Sequence, residues 1–268
     1  MKKTILITGS TDGIGKLAAI QLAQAGHSLY VHGRNSQKLA DVIEEIKRQS
    51  QNEHVSGFVA DFSDLHAVKA MAQQVVQELP KLDILINNAG VFKSPVAKNA
   101  DGLDLRWVVN YLAPYVLTNA LLPLLKKGEA PRIINLSSAA QAPVSLEALE
   151  GTIQSSTQEA YAQSKLALTM WSFHLAKTHP EIAVIALNPG SLLNTRMVQE
   201  AFGRFWAPAD KGAQIINELS LSDAYKGITG AYFDNDQGSW GKAHVDAYNE
   251  GNVEELIWKT DTLLGKSS

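Results

Sequence analysis

The sequence contains no cysteine among its 268 residues. This absence excludes disulfide bonds, thiolate metal sites and a cysteine nucleophile, and it fits a reducing compartment. An excess of charge of one sign is also lacking, because 24 basic residues stand against 27 acidic ones and leave a formal net charge of −3. Such a balance does not indicate binding to nucleic acid or to an anionic membrane surface.

Long hydrophobic runs are scarce as well. The apolar run that follows Lys3 stops at Thr8 after four residues, which is too short for the core of a secretory signal peptide. We expect no stretch to approach the roughly 20 apolar residues that a membrane span requires. The chain is therefore expected to lack a signal peptide and membrane contact, and to be located in the cytoplasm.

The sequence does contain a regular alternation of short apolar runs with longer amphipathic stretches. With 45% hydrophobic and 19% charged residues, its composition is that of a globular protein with a sizeable core. The apolar runs predict buried parallel strands, and the stretches between them have helical spacing. The predicted strands cover residues 4–7, 28–32, 55–60, 84–87, 132–136, 182–187 and 230–233, and the clearest helices cover 15–25, 37–50 and 64–79.

Strand, helix and strand at this interval predict βαβ units. The expected fold is α/β: a single Rossmann-like domain over residues 1–268 with three layers, in which a parallel sheet of about seven strands has helices on both faces. Three regions break the alternation. They are a polar insert at 143–157, a segment at 191–210 that mixes aromatic residues with Gly and Pro, and a C-terminal extension at 235–268.

A glycine-rich turn follows the first predicted strand and opens the first predicted helix. Glycines let such a turn approach a pyrophosphate, and the helix N-terminus offers N–H groups and a partial positive charge. Glycine turns also serve purely structural purposes, but the position between a strand and a helix favours phosphate binding. After Thr8, the residues predicted to bind the cofactor are Gly9, Ser10, Thr11, Asp12, Gly13, Ile14 and Gly15.

The end of the second predicted strand bears on which nicotinamide cofactor binds. NAD-binding units usually have a carboxylate there, about 20 residues past the glycines, for the ribose hydroxyls. Here Gly33, Arg34 and Asn35 stand at that place. A guanidinium pairs with a 2′-phosphate that a carboxylate would repel, so the three residues predict an NADP(H) site. The alternative is that Arg34 is merely exposed and Gly33 serves a turn.

Tyr161 and Lys165 are four residues apart in a predicted helix and therefore lie on one face of it. The unperturbed pKa of tyrosine is about 10, and a neighbouring ammonium is expected to lower the pKa of Tyr161. Such a pair suits proton transfer in carbonyl reduction or alcohol oxidation. By itself, the Tyr-x3-Lys spacing is common and carries little weight.

Taken together, the motifs resemble the short-chain dehydrogenase/reductase family, in particular its retinol-dehydrogenase-like members, over essentially the whole chain. The resemblance rests on the Thr-Gly-x3-Gly-x-Gly loop, the strand-end Asn-Asn-Ala-Gly at 87–90, and four residues in family order. It implies that Tyr161 is the acid/base, that Ser138 binds the substrate oxygen, that Lys165 lowers the tyrosine pKa and binds ribose, and that Asn110 relays protons.

The same resemblance implies further cofactor contacts and no metal. Asp61 would meet the adenine, the backbone of Leu192 the carboxamide, and Thr195, one position later than usual, the carboxamide and phosphates. Tyr161 and Lys165 belong to the cofactor site as well. The remaining residues of the implied site are Phe62, Asn88, Ala89, Gly90, Pro189 and Gly190.

The implied reaction is hydride transfer between NADP(H) and a carbonyl or alcohol substrate. Residues 191–210, with Phe202, Phe205 and Trp206, would form a lid over a lipophilic substrate, or would pack on the body or on a subunit. The resemblance also implies a homo-oligomer, a dimer or tetramer, built through long helices at 101–126 and 158–178. The insert at 143–157 makes the separation of Ser138 and Tyr161 longer than usual in the family.

Two other functions are compatible with parts of this pattern. A nucleotide-sugar epimerase or dehydratase shares Tyr-x3-Lys, but its glycine loop is spaced differently and its C-terminal half is longer. A non-catalytic NADP(H)-binding sensor or scaffold would have no need of Ser138, Tyr161 and Lys165. Turnover of a carbonyl compound distinguishes the enzyme from the sensor.

Overall fold

The structure is a computed structural model that describes residues 1–265, apart from the side chain of Phe202. Its centre is one sheet with strand order β3-β2-β1-β4-β5-β6-β7-β8, in which the first seven strands are parallel and the last pairs antiparallel with its neighbour. These are β1 Thr4–Ile7, β2 Ser28–Gly33, β3 Val55–Val59, β4 Ile84–Asn87, β5 Arg132–Leu136, β6 Ala183–Asn188, β7 Ala231–Asp234 and β8 Ser239–Gly241.

The helices lie between the strands in the predicted alternation. Asp12, Asn35 and Asp64 cap the first three, because each side chain accepts a backbone N–H of the first turn. The α-helices are α1 Gly13–Gln24, α2 Ser36–Ser50, α3 Leu65–Glu78, α4 Leu105–Trp107, α5 Ala113–Leu125, α6 Leu146–Leu149, α7 Thr157–Thr178, α8 Arg196–Phe202, α9 Asp210–Leu221 and α10 Glu250–Leu263.

The core consists of two apolar layers, one on each face of the sheet. Along β1, Leu6 faces the layer formed with α3, α5 and α7, whereas Ile5 and Ile7 face the layer formed with α1, α2 and α9. This is the period-two alternation of a strand that is buried on both faces. The predicted α/β class, with a parallel sheet between two layers of helices, is confirmed.

The prediction of about seven strands omitted β8. This strand has three residues at the sheet edge, and Ser239 and Trp240 are both exposed. Its polar and short sequence does not form an apolar run, so the hydrophobic pattern did not reveal it. The 143–157 insert contains α6, and the 191–210 segment contains α8.

The expectation that no stretch approaches a membrane span was wrong. By length and composition, the helical segment Leu105–Leu125 is long and apolar enough to cross a membrane, because an 18-residue window within it reaches a mean hydropathy of 1.4. Of that 18-residue window, 72% is buried inside the fold. A core helix that is apolar on all sides passes the same test, and packing against α3 and α7 accounts for this composition.

The C-terminal helix α10 packs on the two long helices that were expected to form a subunit interface. The hydroxyl of Tyr111 lies 2.8 Å from Oγ1 of Thr260, and Tyr115 donates to Oδ1 of Asp261 at 2.8 Å. Leu256 of α10 is fully buried. Part of that helix pair is therefore covered by its own chain. Residues 266–268 of the predicted C-terminal extension lie outside the described residues.

Candidate active site

The glycine-rich loop at 8–15 and the Asn-Asn-Ala-Gly segment at 87–90 brace each other at the carboxyl ends of β1 and β4. The side-chain amide of Asn88 donates to the carbonyls of Thr8 and Gly9 at 2.8 and 2.9 Å. In return, Oγ1 of Thr8 accepts the N–H groups of Asn88 and Ala89, both at 3.0 Å. The two motifs that were predicted separately are thus one structural unit.

Two glycines of the loop are required by close approach. Gly9 has φ of +63°, and a Cβ there would lie 2.6 Å from Cα of Ala89. At Gly15, a Cβ would lie 2.3 Å from Nδ2 of Asn88. Both distances are far below ordinary contact, so a side chain at either position would displace the brace. A Cβ on Gly13 would lie 3.5 Å from the methyl group of Thr195.

Several predicted cofactor residues have side chains with a structural role. Ser10 is buried, its hydroxyl donates to the carbonyl of Ile7 at 3.0 Å, and its backbone N–H donates to the carbonyl of His32 at 3.0 Å. Asn35 caps α2 by accepting the Lys38 N–H at 2.8 Å. Phe62 is buried, and Asp61 is exposed and accepts the N–H of Ser63.

Gly33 is the residue of β2 that lies against the glycine-rich loop, and there is no space for a side chain at this position. A Cβ on Gly33 would lie 2.5 Å from the methyl group of Thr11. The next residue, Arg34, is exposed at the carboxyl end of β2. Nearby, Nζ of Lys38 forms an ion pair with Asp12 at 2.9 Å. Burial alone would raise the pKa of Asp12, but the ion pair with Lys38 and the hydrogen bond from the Gly13 N–H bring that pKa below its ordinary value.

His32 supports the glycine-rich loop through a hydrogen bond, and no sequence motif indicated this role. Its Nδ1 accepts the N–H of Gly9 at 3.0 Å, and its Nε2 lies 3.0 Å from the carbonyl of Ala60. The ring stacks on Phe62 with 4.1 Å between centroids. Burial lowers the pKa of His32 to about 4, so the ring is neutral at physiological pH. A neutral ring that accepts at Nδ1 donates from Nε2.

Tyr161 and Lys165 meet on one face of α7, as predicted. Nζ of Lys165 lies 5.7 Å from the centroid of the Tyr161 ring, and the side chain of Ser138 lies close enough to the Tyr161 hydroxyl to lower its pKa. The ring of Phe92 meets the Tyr161 ring edge to face at 4.9 Å. Three of the four predicted catalytic side chains are therefore adjacent, beside an aromatic wall.

The predicted lowering of the Tyr161 pKa by the lysine is not found in this structure. Burial raises the pKa of Tyr161, and the neighbouring Ser138 side chain offsets only part of that rise. Lys165 instead donates to the carbonyl of Leu136 at 2.6 Å, and burial lowers its own pKa to about 8. Desolvation disfavours the charged form of both groups.

Asn110 lies in a π-helical turn, Val108–Leu112, between α4 and α5. Its Oδ1 accepts the N–H of Val91 at 2.8 Å, and its Nδ2 donates to the carbonyl of Val91 and to Ser164, both at 3.0 Å. Such turns often occur at functional sites. A Cβ on Gly90 would lie 3.4 Å from Oδ1 of Asn110 and 3.5 Å from Nζ of Lys165, so this glycine keeps the space between them open.

The backbone of Ser138 is held by two residues that sequence reasoning missed. Its carbonyl accepts hydrogen bonds from the hydroxyl of Tyr232 at 3.1 Å and from Nε2 of Gln141 at 3.0 Å. Oε1 of Gln141 also accepts the N–H of His244 at 2.8 Å. No local motif could reveal Tyr232, because it lies 94 residues from Ser138 in sequence.

The segment after β6 contains the residues expected near the nicotinamide. Leu192 has φ of +46°, which is uncommon for a residue other than glycine. Thr195 caps α8 and lies beside Gly13 of the glycine-rich loop. Farther along, Phe205 and Trp206 are 50% and 70% exposed. Each of these two rings therefore presents apolar surface to solvent.

Among residues 1–265, no group of three or more His, Asp or Glu side chains is placed to hold a metal ion. The sequence profile of the family described as short chain dehydrogenase matches residues 3–204. Retinol dehydrogenase 12 of Mus musculus is 32% identical over 275 residues, which cover 98% of this chain and 86% of that protein. Polyprenol dehydrogenase of Homo sapiens is 29% identical over 287 residues, with 98% and 85% covered.

A solved structure supports the same assignment. A short-chain dehydrogenase from Escherichia coli CFT073 in complex with NADPH superposes with a TM-score of 0.72 and is 28% identical, covering 87% of this chain and 96% of that one. The chain belongs to the short-chain dehydrogenase family, among its retinol-dehydrogenase-like members, and is an oxidoreductase.

Proposed function

We propose that this protein is an NADP(H)-dependent oxidoreductase that interconverts a lipophilic carbonyl compound and its alcohol. The observation that carries the proposal is the meeting of Ser138, Tyr161 and Lys165 in one cleft with the glycine-rich loop. The residues fit a dinucleotide, since the loop opens helix α1 and glycines keep its backbone accessible. When bound, the nicotinamide supplies or accepts the hydride.

The protein's own residues then handle the oxygen and the proton. Ser138 donates to the substrate oxygen and holds it beside the Tyr161 hydroxyl. Because burial raises the pKa of Tyr161, its hydroxyl is protonated at neutral pH and is placed to give a proton to a carbonyl oxygen.

Lys165 and Asn110 complete the proton path. With a pKa of about 8, Lys165 is mostly protonated at pH 7 and is a hydrogen-bond donor toward a ribose hydroxyl. Asn110 is fixed by Val91 and Ser164, and Gly90 leaves room between it and the lysine. That room suits a water that carries protons from solvent to Lys165 and on to Tyr161.

The preference for the phosphorylated cofactor rests on the end of β2. Gly33 stands where a carboxylate would bind ribose hydroxyls, and the exposed guanidinium of Arg34 follows it. Lys38 adds a second cation at the same edge, where it also pairs with Asp12. NADPH in a relative that is 28% identical supports the same choice.

A lipophilic substrate is supported by the relatives and by the cleft. Retinol and polyprenols, which two relatives are named for, are long apolar alcohols. In this chain, Phe92 packs against Tyr161, and Phe205 and Trp206 leave apolar surface exposed in the 191–210 segment. We propose that this segment is a lid over the substrate. The homo-oligomer and the cytoplasmic location stay predictions.

The cofactor is tested by titrating the protein with NADPH and NADH, following nicotinamide fluorescence, for the natural chain and for Arg34→Glu. We expect NADPH to bind more tightly and the substitution to weaken NADPH binding by about 10-fold or more, because one charge-assisted contact is replaced by repulsion. Arg48→Glu, on the exposed part of α2, is the matched control. Equal binding of both cofactors to both proteins would overturn the NADP(H) assignment.

Catalysis is tested by turnover of lipophilic aldehydes and ketones with NADPH, comparing the natural chain with Tyr161→Phe. The variant should lose about 100-fold or more in turnover, because proton donation by a placed side chain contributes that much, and should still bind NADPH. A natural chain that binds NADPH and reduces no carbonyl would favour the sensor.

A further inference from the structure

The segment Asn188-Pro189-Gly190-Ser191 is held by the turn that follows β7. Oδ1 of Asp236 accepts the backbone N–H of Ser191 at 2.7 Å. Oδ2 of Asp236 accepts the hydroxyl of Ser191 at 2.5 Å and the side-chain amide of Asn188 at 2.9 Å. One carboxylate therefore receives three hydrogen bonds from a segment 45 residues away in sequence.

The neighbours of Asp236 extend this clamp to the remaining residues of the segment. Nδ2 of Asn235 donates to the carbonyl of Pro189 at 2.8 Å. Asn188 also donates to Asp234 at 2.8 Å, and its Oδ1 accepts the N–H of Gly190 at 3.2 Å. Each residue from 188 to 191 is thus bonded to the turn directly or through Asn188.

The backbone next to the clamp is in a conformation that needs such support. Leu192 has φ of +46°, and for a residue with a Cβ this region is unfavourable by about 1 kcal/mol or more. Such residues persist where the surrounding contacts determine their conformation. The bonds from Asp236 fix Ser191, the residue immediately before Leu192.

Asp236 is ionised at neutral pH. Burial alone would raise the pKa of its carboxyl, but the bonds from Ser191 and Asn188 and the positive charge of Lys211 bring that pKa below its ordinary value. Hydrogen bonds to a carboxylate are stronger than bonds between neutral groups. The clamp is therefore made of charge-assisted contacts.

We propose that Asp236 is a positioning residue for the nicotinamide end of the cofactor: it holds Ser191 and thereby the left-handed backbone at Leu192 that faces the carboxamide. The inference rests on the proposed function, because Leu192 meets a carboxamide only if the dinucleotide lies in the cleft. In the proposed pose the adenine end would lie at the carboxyl ends of β2 and β3, whereas the clamp follows β7, on the other side of β1 in the sheet.

Asp236→Asn tests the proposal, because an amide group cannot accept all three bonds, and one of its N–H groups would then face a donor. We expect the Kd for NADPH to rise on the order of 10-fold, which corresponds to the loss of one hydrogen bond to a charged group. The Kd for 2′,5′-ADP, which lacks the nicotinamide, should not change. Asp223→Asn, in the short helical turn Asp223–Tyr225 away from the segment, is the matched control.

Ser191→Ala provides a second variant in case Asp236→Asn fails to fold. It removes the hydroxyl but keeps the backbone N–H bond to Asp236, so we expect a smaller rise in the Kd for NADPH and again none for 2′,5′-ADP. An unchanged Kd for NADPH in both variants, or an equal loss of both ligands, would overturn the proposal. If the natural chain binds 2′,5′-ADP but not NADPH or NADH, the proposed function itself fails.

Discussion

The two ends of the proposed cofactor cleft are built by different means. At the phosphate end, the backbone of the 8–15 loop approaches residues 87–90 so closely that Gly9 and Gly15 have no space for a Cβ. At the nicotinamide end, the backbone is held by side chains of β7 and the turn after it. Tyr232 bonds the carbonyl of Ser138, and Asp236 bonds Ser191.

This difference explains which end was visible in the sequence. Close backbone approach requires glycine at fixed positions, and those glycines stand together in one short motif. A side-chain clamp requires a hydrogen-bonding group at a distant place, and many residue types provide one. The difference also predicts the effect of substitutions at each end. An added carbon at the phosphate end should displace the backbone, whereas loss of a side chain at the nicotinamide end should leave the backbone less firmly held.

The largest effect is expected from Gly9→Ala. The new methyl group would lie 2.6 Å from backbone atoms of Ala89, at φ of +63°. Together, overpacking and left-handed strain should reduce the free energy of unfolding by about 3 kcal/mol and abolish NADPH binding. Denaturant unfolding and fluorescence titration measure both. In Gly251→Ala, where the nearest atom to the new carbon lies at 3.4 Å, neither should change appreciably.

A pH dependence of similar size is expected from His32. The folded chain keeps this ring neutral down to a pH of about 4, whereas in the unfolded chain the ring has the ordinary histidine pKa of 6.5. As pH falls from 6.5 to 4, the unfolded state binds the proton first, so the free energy of unfolding decreases by up to about 3 kcal/mol. The stability that the neutral His32 ring contributes is therefore fully present above pH 6.5 and is lost as pH falls toward 4.

His32→Asn tests the assignment, because an amide oxygen can still accept the N–H of Gly9 but does not titrate. The free energy of unfolding, measured in urea between pH 7 and 4, should fall less steeply in the variant. His27 and His174 also have pKa values lowered by burial, so some slope will remain. An identical slope in both proteins would contradict the prediction.

A smaller loss of stability, which a second substitution should compensate, is expected at Gly33. In Gly33→Ala the new carbon meets the methyl group of Thr11 at 2.5 Å, which should lower the free energy of unfolding by about 2 kcal/mol. Thr11→Ser removes that methyl group, and the double variant should regain most of the loss. Simple additivity of the two changes in a double-mutant cycle would show that the contact does not explain the glycine.

The smallest effect is expected from Tyr232→Phe, which tests the nicotinamide end. Loss of one bond to the carbonyl of Ser138 should reduce kcat on the order of 10-fold and leave NADPH binding unchanged. Tyr225→Phe is the matched control, because that ring packs on Phe233 and Trp240 and not on Ser138. A fall in Tm with unchanged kcat would assign Tyr232 a purely structural role.

Much of the fold was predictable because its signals are local. Seven strands appeared as apolar runs, and the helix starts coincide with capping residues such as Asp12, Asn35 and Asp64. The edge strand with Trp240 was missed, since three exposed residues do not form a pattern. The apolar helix pair was expected to meet a subunit, but α10 covers part of it, which depends on how the C-terminal segment folds back.

The sequence by itself determined the fold class, the glycine loop and the identity of the tyrosine–lysine pair, because spacing along one helix or one turn carries that information. Only the tertiary structure decided how these groups are tuned. Burial raises the pKa of Tyr161, which is opposite to the effect expected from the Tyr-x3-Lys spacing, and Lys165 donates to the carbonyl of Leu136. Desolvation and long-range hydrogen bonds, such as those of Asp236, arise only when distant segments meet, so no local pattern encodes them.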